Sequence, residues 1–308
     1  MTDAPPPRHA SRRSRVLTMA LPVGIAVTAL GSLWALAGVP AVAEPIVPPM
    51  PVAAATLPDV DLLAVAAANP CADPVVVDAL AAGDDEGAIA AFGGAEVFRE
   101  AVVVGNAPCI SLNDPGRLWV VVNKTDPMNP IDYEPAPLSS PALQTTTLSR
   151  SLRTDVAEAL DAMATELREA GAGVLGMNNG YRSYWLQTRV HASHVSSRGQ
   201  DGADKVSARP GFSEHQTGLS MDVVSCSRGC GEIGGFGGTS ESDWVAANAW
   251  KHGFIVRYDD GETATTGYVP EPWHLRYIGP SLASAYHEGG YRTLEEFFAM
   301  PAAPDYVH

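Results

Sequence analysis

The chain has 308 residues, 46% of them hydrophobic and 18% charged, and a formal net charge of −15. That apolar fraction is enough for a globular core, which excludes disorder of the whole chain. The acidic balance would repel phosphate backbones, so no nucleic acid is expected as a partner.

Arg8, Arg12, Arg13 and Arg15 precede an uncharged run from Val16 to Ala43 that leads into "AVAEP". A basic start, an apolar stretch and a small-residue cleavage site form an export signal. The run is also long enough to span a bilayer, although Pro22, Gly24, Gly31, Gly38 and Pro40 interrupt it. Residues 1–43 therefore read as a signal peptide or an N-terminal membrane anchor. Either one places the remainder outside the cytoplasm, secreted, in the cell wall or anchored on the outer membrane face. Membrane contact is expected only through this segment, if it stays uncleaved. The Arg12–Arg13 pair also fits a twin-arginine export route.

Residues 44–68 are rich in Pro and Ala and read as a linker. Residues 69–114 form an Ala-rich unit with helical patterning, too short to bury a sizeable core alone. Four cysteines, Cys71, Cys109, Cys226 and Cys230, suit two disulfides in an exported protein. Three connectivities are possible, and the local pairs Cys71–Cys109 and Cys226–Cys230 are the simplest. A zinc site of all four is the rival, but Cys71 and Cys109 lack a C-x-x-C knuckle.

The main domain spans residues 115–308. It opens on a β-branched run, "RLWVVVNK", and continues through the Pro-rich loop "TDPMNPIDYEPAPL". Over 149–170, Leu152, Val156, Leu160, Met163 and Leu167 recur at helical spacing, with Gly171 as a stop. A strand and turn follow over "GVLGMNNGYRSY", a second helix over "WLQTRVHASHVSSRG" and a strand at "GLSMDVV". After a glycine-rich stretch come a third helix, "SDWVAANAWKHG", a strand "FIVRY", and a last strand-like piece, "GYVPEPWHLRYI". Helices early and short strands late, joined by hairpin-like links, favour an α+β fold with a small antiparallel sheet and helices packed on one side.

Three segments carry chemistry. "SEHQTGLSMD" sets His215 and Asp222 seven positions apart with Gly218 between them to permit a bend. Alone it fits either two ligands of a metal site or a polar turn. "EPWHLRY" holds Glu271 and His274, a candidate base and a candidate third ligand for zinc. Residues three apart on a regular strand point to opposite faces, so a bulge or turn at Pro272 is needed to bring both to one side. The alternative is a half-buried Trp273 with a polar edge. "GYRSYWLQ" puts Arg182 at a helix start, where a guanidinium suits a carboxylate or a developing oxyanion, or merely completes a capping turn.

Other hydrolase signatures are absent. None of Lys124, Lys205 and Lys251 has a serine three positions before it, "GFSEH" lacks the second glycine of G-x-S-x-G, and Tyr291 stands where H-E-x-x-H needs histidine. His191 and His194 read as a solvated helix face.

Taken in order, "VVNKTDPMNPIDYEPAPL", "NNGYRSYWLQ", "ADKVSARPGFSEHQTGLSMDVV", "WVAANAWKHGFIVRY" and "TTGYVPEPWHLRYIG" resemble the VanY-type D-alanyl-D-alanine carboxypeptidases. These are zinc peptidases of the bacterial cell wall related to the VanX dipeptidases. The resemblance covers about Trp119 to Gly279 and implies a zinc site at the sheet with His215, Asp222 and His274 as ligands. Glu271 becomes the catalytic base, and Arg182 lies near the scissile carbonyl or the substrate carboxylate. Ser213, Gln187, Tyr181 and Trp273 become substrate contacts, and Glu214 takes no role. The implied substrates are peptidoglycan stem peptides, and the chain is expected to act as a monomer. Release of D-alanine by cleavage of a D,D bond is the first reading. Cleavage of an L,D bond in a tetrapeptide stem is the second, and a non-catalytic wall-binding module the third. Asn179 departs from the family's usual serine, and the Cys226–Cys230 loop after Asp222 is a further departure.

Overall fold

The computed structural model describes residues 69–306. The export or anchor segment, 1–43, and the linker, 44–68, lie outside the described residues. Among the described residues no helix is long and apolar enough to cross a membrane.

Three short helices open this part of the chain: α1 (Pro74–Ala82), α2 (Asp85–Ala91) and α3 (Ala95–Val103). Asp73 caps α1 by accepting from the amide of Val75, and Gly83 closes it with a left-handed φ of 72°. Their buried residues, Val76, Ile89 and Phe98, join Trp119, Val121, Ile255, Ile278 and Leu282 in one apolar cluster. The segment thus buries its apolar face against residues of the following sequence. A disulfide, Cys71–Cys109, closes it, and the second bridge is Cys226–Cys230.

"RLWVVVNK" forms no strand, although its β-branched residues favour one. Leu118, Val120 and Val122 enter the main core, while Trp119 and Val121 enter the cluster just described. The alternation is that of an extended chain wedged between two cores. Its carbonyls at Leu118 and Val120 accept from the buried guanidinium of Arg276, at 3.1 and 2.7 Å, so a side chain supplies hydrogen bonds that a neighbouring strand would otherwise give.

Helix α4 (Thr154–Glu169) starts later than the periodicity suggests. Leu152–Arg153 (β2) pairs instead with Leu138–Ser139 (β1), and the amide of Arg153 donates to the carbonyl of Gly218 at 3.1 Å. Val156, Leu160, Met163 and Leu167 are fully buried on one face of α4. Each contributes roughly 1.5–3 kcal/mol by leaving water.

The main sheet contains β3 (Leu175–Asn179), β4 (Ser220–Ser225), β5 (Phe254–Tyr258) and β6 (Glu271–Tyr277), all antiparallel in the order β3-β4-β6-β5. Met221 and Val223 of β4 and Leu275 and Tyr277 of β6 face the main core with α4 and Val245 of α6 (Ser240–Asn248). Between β3 and β4 lies α5 (Tyr184–Arg198), capped by Ser183, and after β6 comes α7 (Pro280–Glu288). The architecture is the expected α+β arrangement around a small antiparallel sheet, but the helices are not confined to one side: α4 and α6 pack with Phe254 of β5, whereas α1–α3 and α7 pack with Ile255, which alternation turns to the opposite face.

Candidate active site

Side chains alternate along a strand, so the face of β4 and β6 opposite the main core carries Ser220, Asp222, His274 and Arg276. Asp222 and His274 are directly paired across the two strands. His215 reaches the same face from a one-turn 3-10 helix, Glu214–Thr217, which ends at Gly218 with φ 72°. A Cβ at Gly218 would also crowd Pro135 and the Arg153 backbone, so glycine is needed for both conformation and space.

One candidate ligand atom from each of His215, Asp222 and His274 lies within 4.8 Å of the others. Asp222 Oδ1 is 3.5 Å from His215 Nε2 and 3.1 Å from His274 Nδ1. Zinc bonds of about 2.0–2.2 Å in a tetrahedron separate neighbouring ligand atoms by roughly 3.3 Å, so this donor set fits zinc.

Each of the three is oriented from behind. The Nδ1–H of His215 donates to the carbonyl of Gly180 at 2.8 Å, which leaves Nε2 facing Asp222. Asn179 Nδ2 donates to Asp222 Oδ2 at 3.1 Å, which leaves Oδ1 towards the two histidines. A one-residue shift in the β3–β4 register, between Met177 and Asn179, puts Asn179 opposite Asp222. The Nε2–H of His274 points to Glu214 Oε2, 3.4 Å away, and frees Nδ1 for the site. Outer partners of this kind fix the tautomer and orientation of a metal ligand.

Glu214, given no role on sequence grounds, is therefore part of the site. Its carboxylate is completely buried and meets Arg257 at 3.0 Å and Arg276 at 2.9 Å, while Arg257 also pairs with Glu295 at 2.7 Å. Burial alone would raise the pKa of Glu214, but the two arginines hold it well below the ordinary carboxylate range. A sequence signal existed: Arg257 follows the apolar run Phe254–Val256 and Arg276 stands between Leu275 and Tyr277, and a buried arginine requires a carboxylate partner.

Burial would lower the pKa of His274, but the hydrogen bonds to Asp222 and Glu214 outweigh it and push it up to about 9. His215 goes the other way, to about 4, through burial and the nearby Arg182.

Glu271 Oε2 is 3.9 Å from His274 Nδ1. The β5–β6 pairing explains how residues three apart share a side. Val256 lies opposite Leu275, but Tyr258 lies opposite Glu271, so two extra residues of β6 are accommodated around Pro272. Burial pushes the Glu271 carboxyl up to about 7.

These groups line a cleft of about 470 Å³ that also includes Arg182, Ser213, Tyr268 and Trp273. Arg182 Nε is buried with no hydrogen-bond partner among the described residues. Gln187 does not line the cleft: it is fully buried, and its amide donates to Ser207 and Ala208, at 3.3 and 2.6 Å, which themselves form part of the cleft wall. Tyr181 also lies away from the cleft lining. His191 and His194 are not a solvated face. His191 is buried against the Ser207 carbonyl and Asp204, and His194 lines the cleft.

A family model described as VanY, D-alanyl-D-alanine carboxypeptidase, matches residues 149–280. YodJ of Bacillus subtilis (strain 168) is 37% identical over 192 residues, 61% of this chain and 69% of that protein. This chain belongs to the VanY family. A D-alanyl-D-alanine carboxypeptidase of Enterococcus faecium is 31% identical over 143 residues, 46% of this chain, and the match spans only 42% of that relative's length. Among solved structures, the LdcB LD-carboxypeptidase is 38% identical with a TM-score of 0.56, over 61% of this chain and 88% of that one. The VanY match contains Arg182, His215, Asp222, Glu271 and His274, and begins well after α1–α3.

Proposed function

We propose that this chain is a zinc-dependent carboxypeptidase that removes the C-terminal D-alanine from peptidoglycan stem peptides outside the cytoplasm. The observation that carries this reading is the buried triad His215, Asp222 and His274, with Glu271 3.9 Å from one ligand nitrogen. Zinc held there would act as a Lewis acid towards water and the scissile carbonyl. Glu271, ionised, takes the proton of the attacking water and returns it to the leaving amine. Arg182 has an unpartnered Nε in the same cleft and stabilises the negative charge that develops on the carbonyl oxygen. Ser213 and Trp273 border the terminal residue, while Gln187 acts indirectly by holding Ser207 and Ala208 in place. A binding module without catalysis would have no use for a carboxyl whose pKa is raised beside an intact triad.

Similarity to the LdcB LD-carboxypeptidase favours a second reading, in which the bond cleaved is the L,D bond of a tetrapeptide stem. Incubating the purified protein with pentapeptide and tetrapeptide stems, with and without chelator, separates the two. D-alanine released from the pentapeptide alone supports the D,D reading, and release from the tetrapeptide supports the L,D reading. Release that persists after complete zinc removal would reject the mechanism.

A further inference from the structure

The cleft wall supplied by α5 carries no acid. Val190, His194 and Arg198 all line the cleft, and their spacing of four residues puts them on one stripe of the helix. At 1.5 Å per residue the stripe runs about 12 Å, from half-buried Val190 to exposed Arg198. Arg182, just before the helix, lines the same cleft.

Neither His194 nor Arg198 has a carboxylate partner among the described residues. The three acids of the cleft are engaged elsewhere: Glu214 by Arg257 and Arg276, Asp222 and Glu271 around the ligand triad. Arg198 in the last turn of α5 complements the helix dipole, but that role does not require it to face the cleft. Burial and Arg198 together lower the pKa of His194, so the wall is positive even without a charge on the imidazole. Arg182, whose buried Nε has no partner among the described residues, already serves the reacting end of the cleft, so His194 and Arg198 are cationic groups beyond that need.

We propose that His194 and Arg198 form a subsite for a second carboxylate of the substrate, upstream of the residue that is released. This rests on the carboxypeptidase reading of the cleft. The carboxylate of the released residue lies at the reacting end, near Arg182, whereas the stripe leads away from it. An extended peptide advances about 3.3–3.6 Å per residue, so 12 Å of wall accommodates three or four residues of a stem. Two sources fit the chemistry: the side-chain carboxylate of a diamino diacid, or the α-carboxylate of a γ-linked glutamate.

The test compares three synthetic stems, one with both carboxylates free and two with one or the other amidated, on the zinc-loaded wild type and on His194→Gln and Arg198→Gln. Amidating the recognised carboxylate should lower wild-type kcat/KM about tenfold, mainly through KM, and so identify the source. In Arg198→Gln the ratio of free to amidated substrate should fall below about twofold, with His194→Gln intermediate. Equal wild-type turnover of all three stems, or a preference that survives unchanged in both variants, overturns the subsite. No D-alanine released from any stem by the wild type instead overturns the carboxypeptidase reading itself. Zinc content and Tm of the variants, matching the wild type, separate a binding defect from a folding one.

Discussion

Nε2 of His274 lies 3.4 Å from Oε2 of Glu214, a carboxylate with no exposed surface that also receives Arg257 and Arg276. The residue immediately before one proposed ligand therefore orients another, 60 positions later in the chain. The arginines keep Glu214 ionised, and an ionised acceptor keeps the Nε2–H tautomer of His274, which presents Nδ1 to the site.

Replacing Glu214 by Gln should weaken zinc binding roughly 10- to 100-fold, because the carboxamide is a poorer acceptor and can turn its NH₂ towards Nε2. Competition with a chromogenic chelator measures this without reference to turnover. The same change leaves Arg276 without its carboxylate, so unfolding stability should also fall by about 3–5 kcal/mol. Unchanged zinc affinity would remove Glu214 from the site.

Glu271 sets the acid side of the activity profile. A general base works only when ionised, so the rate should drop about tenfold per pH unit below its pKa. Burial raises that pKa to about 7, and a dication at the neighbouring triad lowers it, so the acid limb should fall below pH 7 in the zinc-loaded protein. Arg182 is one of the groups that lower it, so Arg182→Gln should move the limb to higher pH as well as slow turnover. Glu271→Gln should retain zinc while kcat falls by about 10²- to 10⁴-fold. A limb that moves down in Arg182→Gln would contradict the assignment.

Glu241 of α6 gives the described fold a predicted acid-labile point remote from the ligands. Its carboxylate accepts from Ser225 Oγ at 2.8 Å, from the amide of Val174 at 3.3 Å, and from Ser227 Oγ. Burial would raise its pKa, but these bonds hold it at about 2. A depressed folded pKa contributes stability that is full above the ordinary value of 4.5 and is lost as pH falls towards about 2. Glu241→Gln should therefore cost roughly 1–3 kcal/mol at pH 7 and flatten the loss of stability below pH 4.5. Urea midpoints at pH 7 and pH 3 decide it.

The two disulfides should differ in weight. Cys71–Cys109 spans 38 positions and Cys226–Cys230 only 4. Loop-closure entropy assigns about 4 kcal/mol to the first and about 2 kcal/mol to the second. Serine pairs at each bridge, compared by denaturant midpoint, should rank in that order. The reverse order would mean that the short bridge holds more of the fold than its loop length implies.

The sequence by itself determined the parts whose information is local. Ligand types and spacing in "SEHQTGLSMD" and "EPWHLRY", the apolar period of α4, and the alternation of β4 all follow from neighbours a few residues apart. Tertiary structure decided whatever depends on a partner distant in the chain. "RLWVVVNK" reads as a strand, yet takes hydrogen bonds from Arg276 because that guanidinium is buried beneath it. His194 reads as solvated until α5 is laid along the cleft, and Gln187 reads as a substrate contact, yet its amide nitrogen donates to Ser207 and Ala208 behind the cleft lining. Glu214 has no local signal of its own. Its place follows from two arginines on β5 and β6, and only the pairing of those strands brings their charges to one carboxylate.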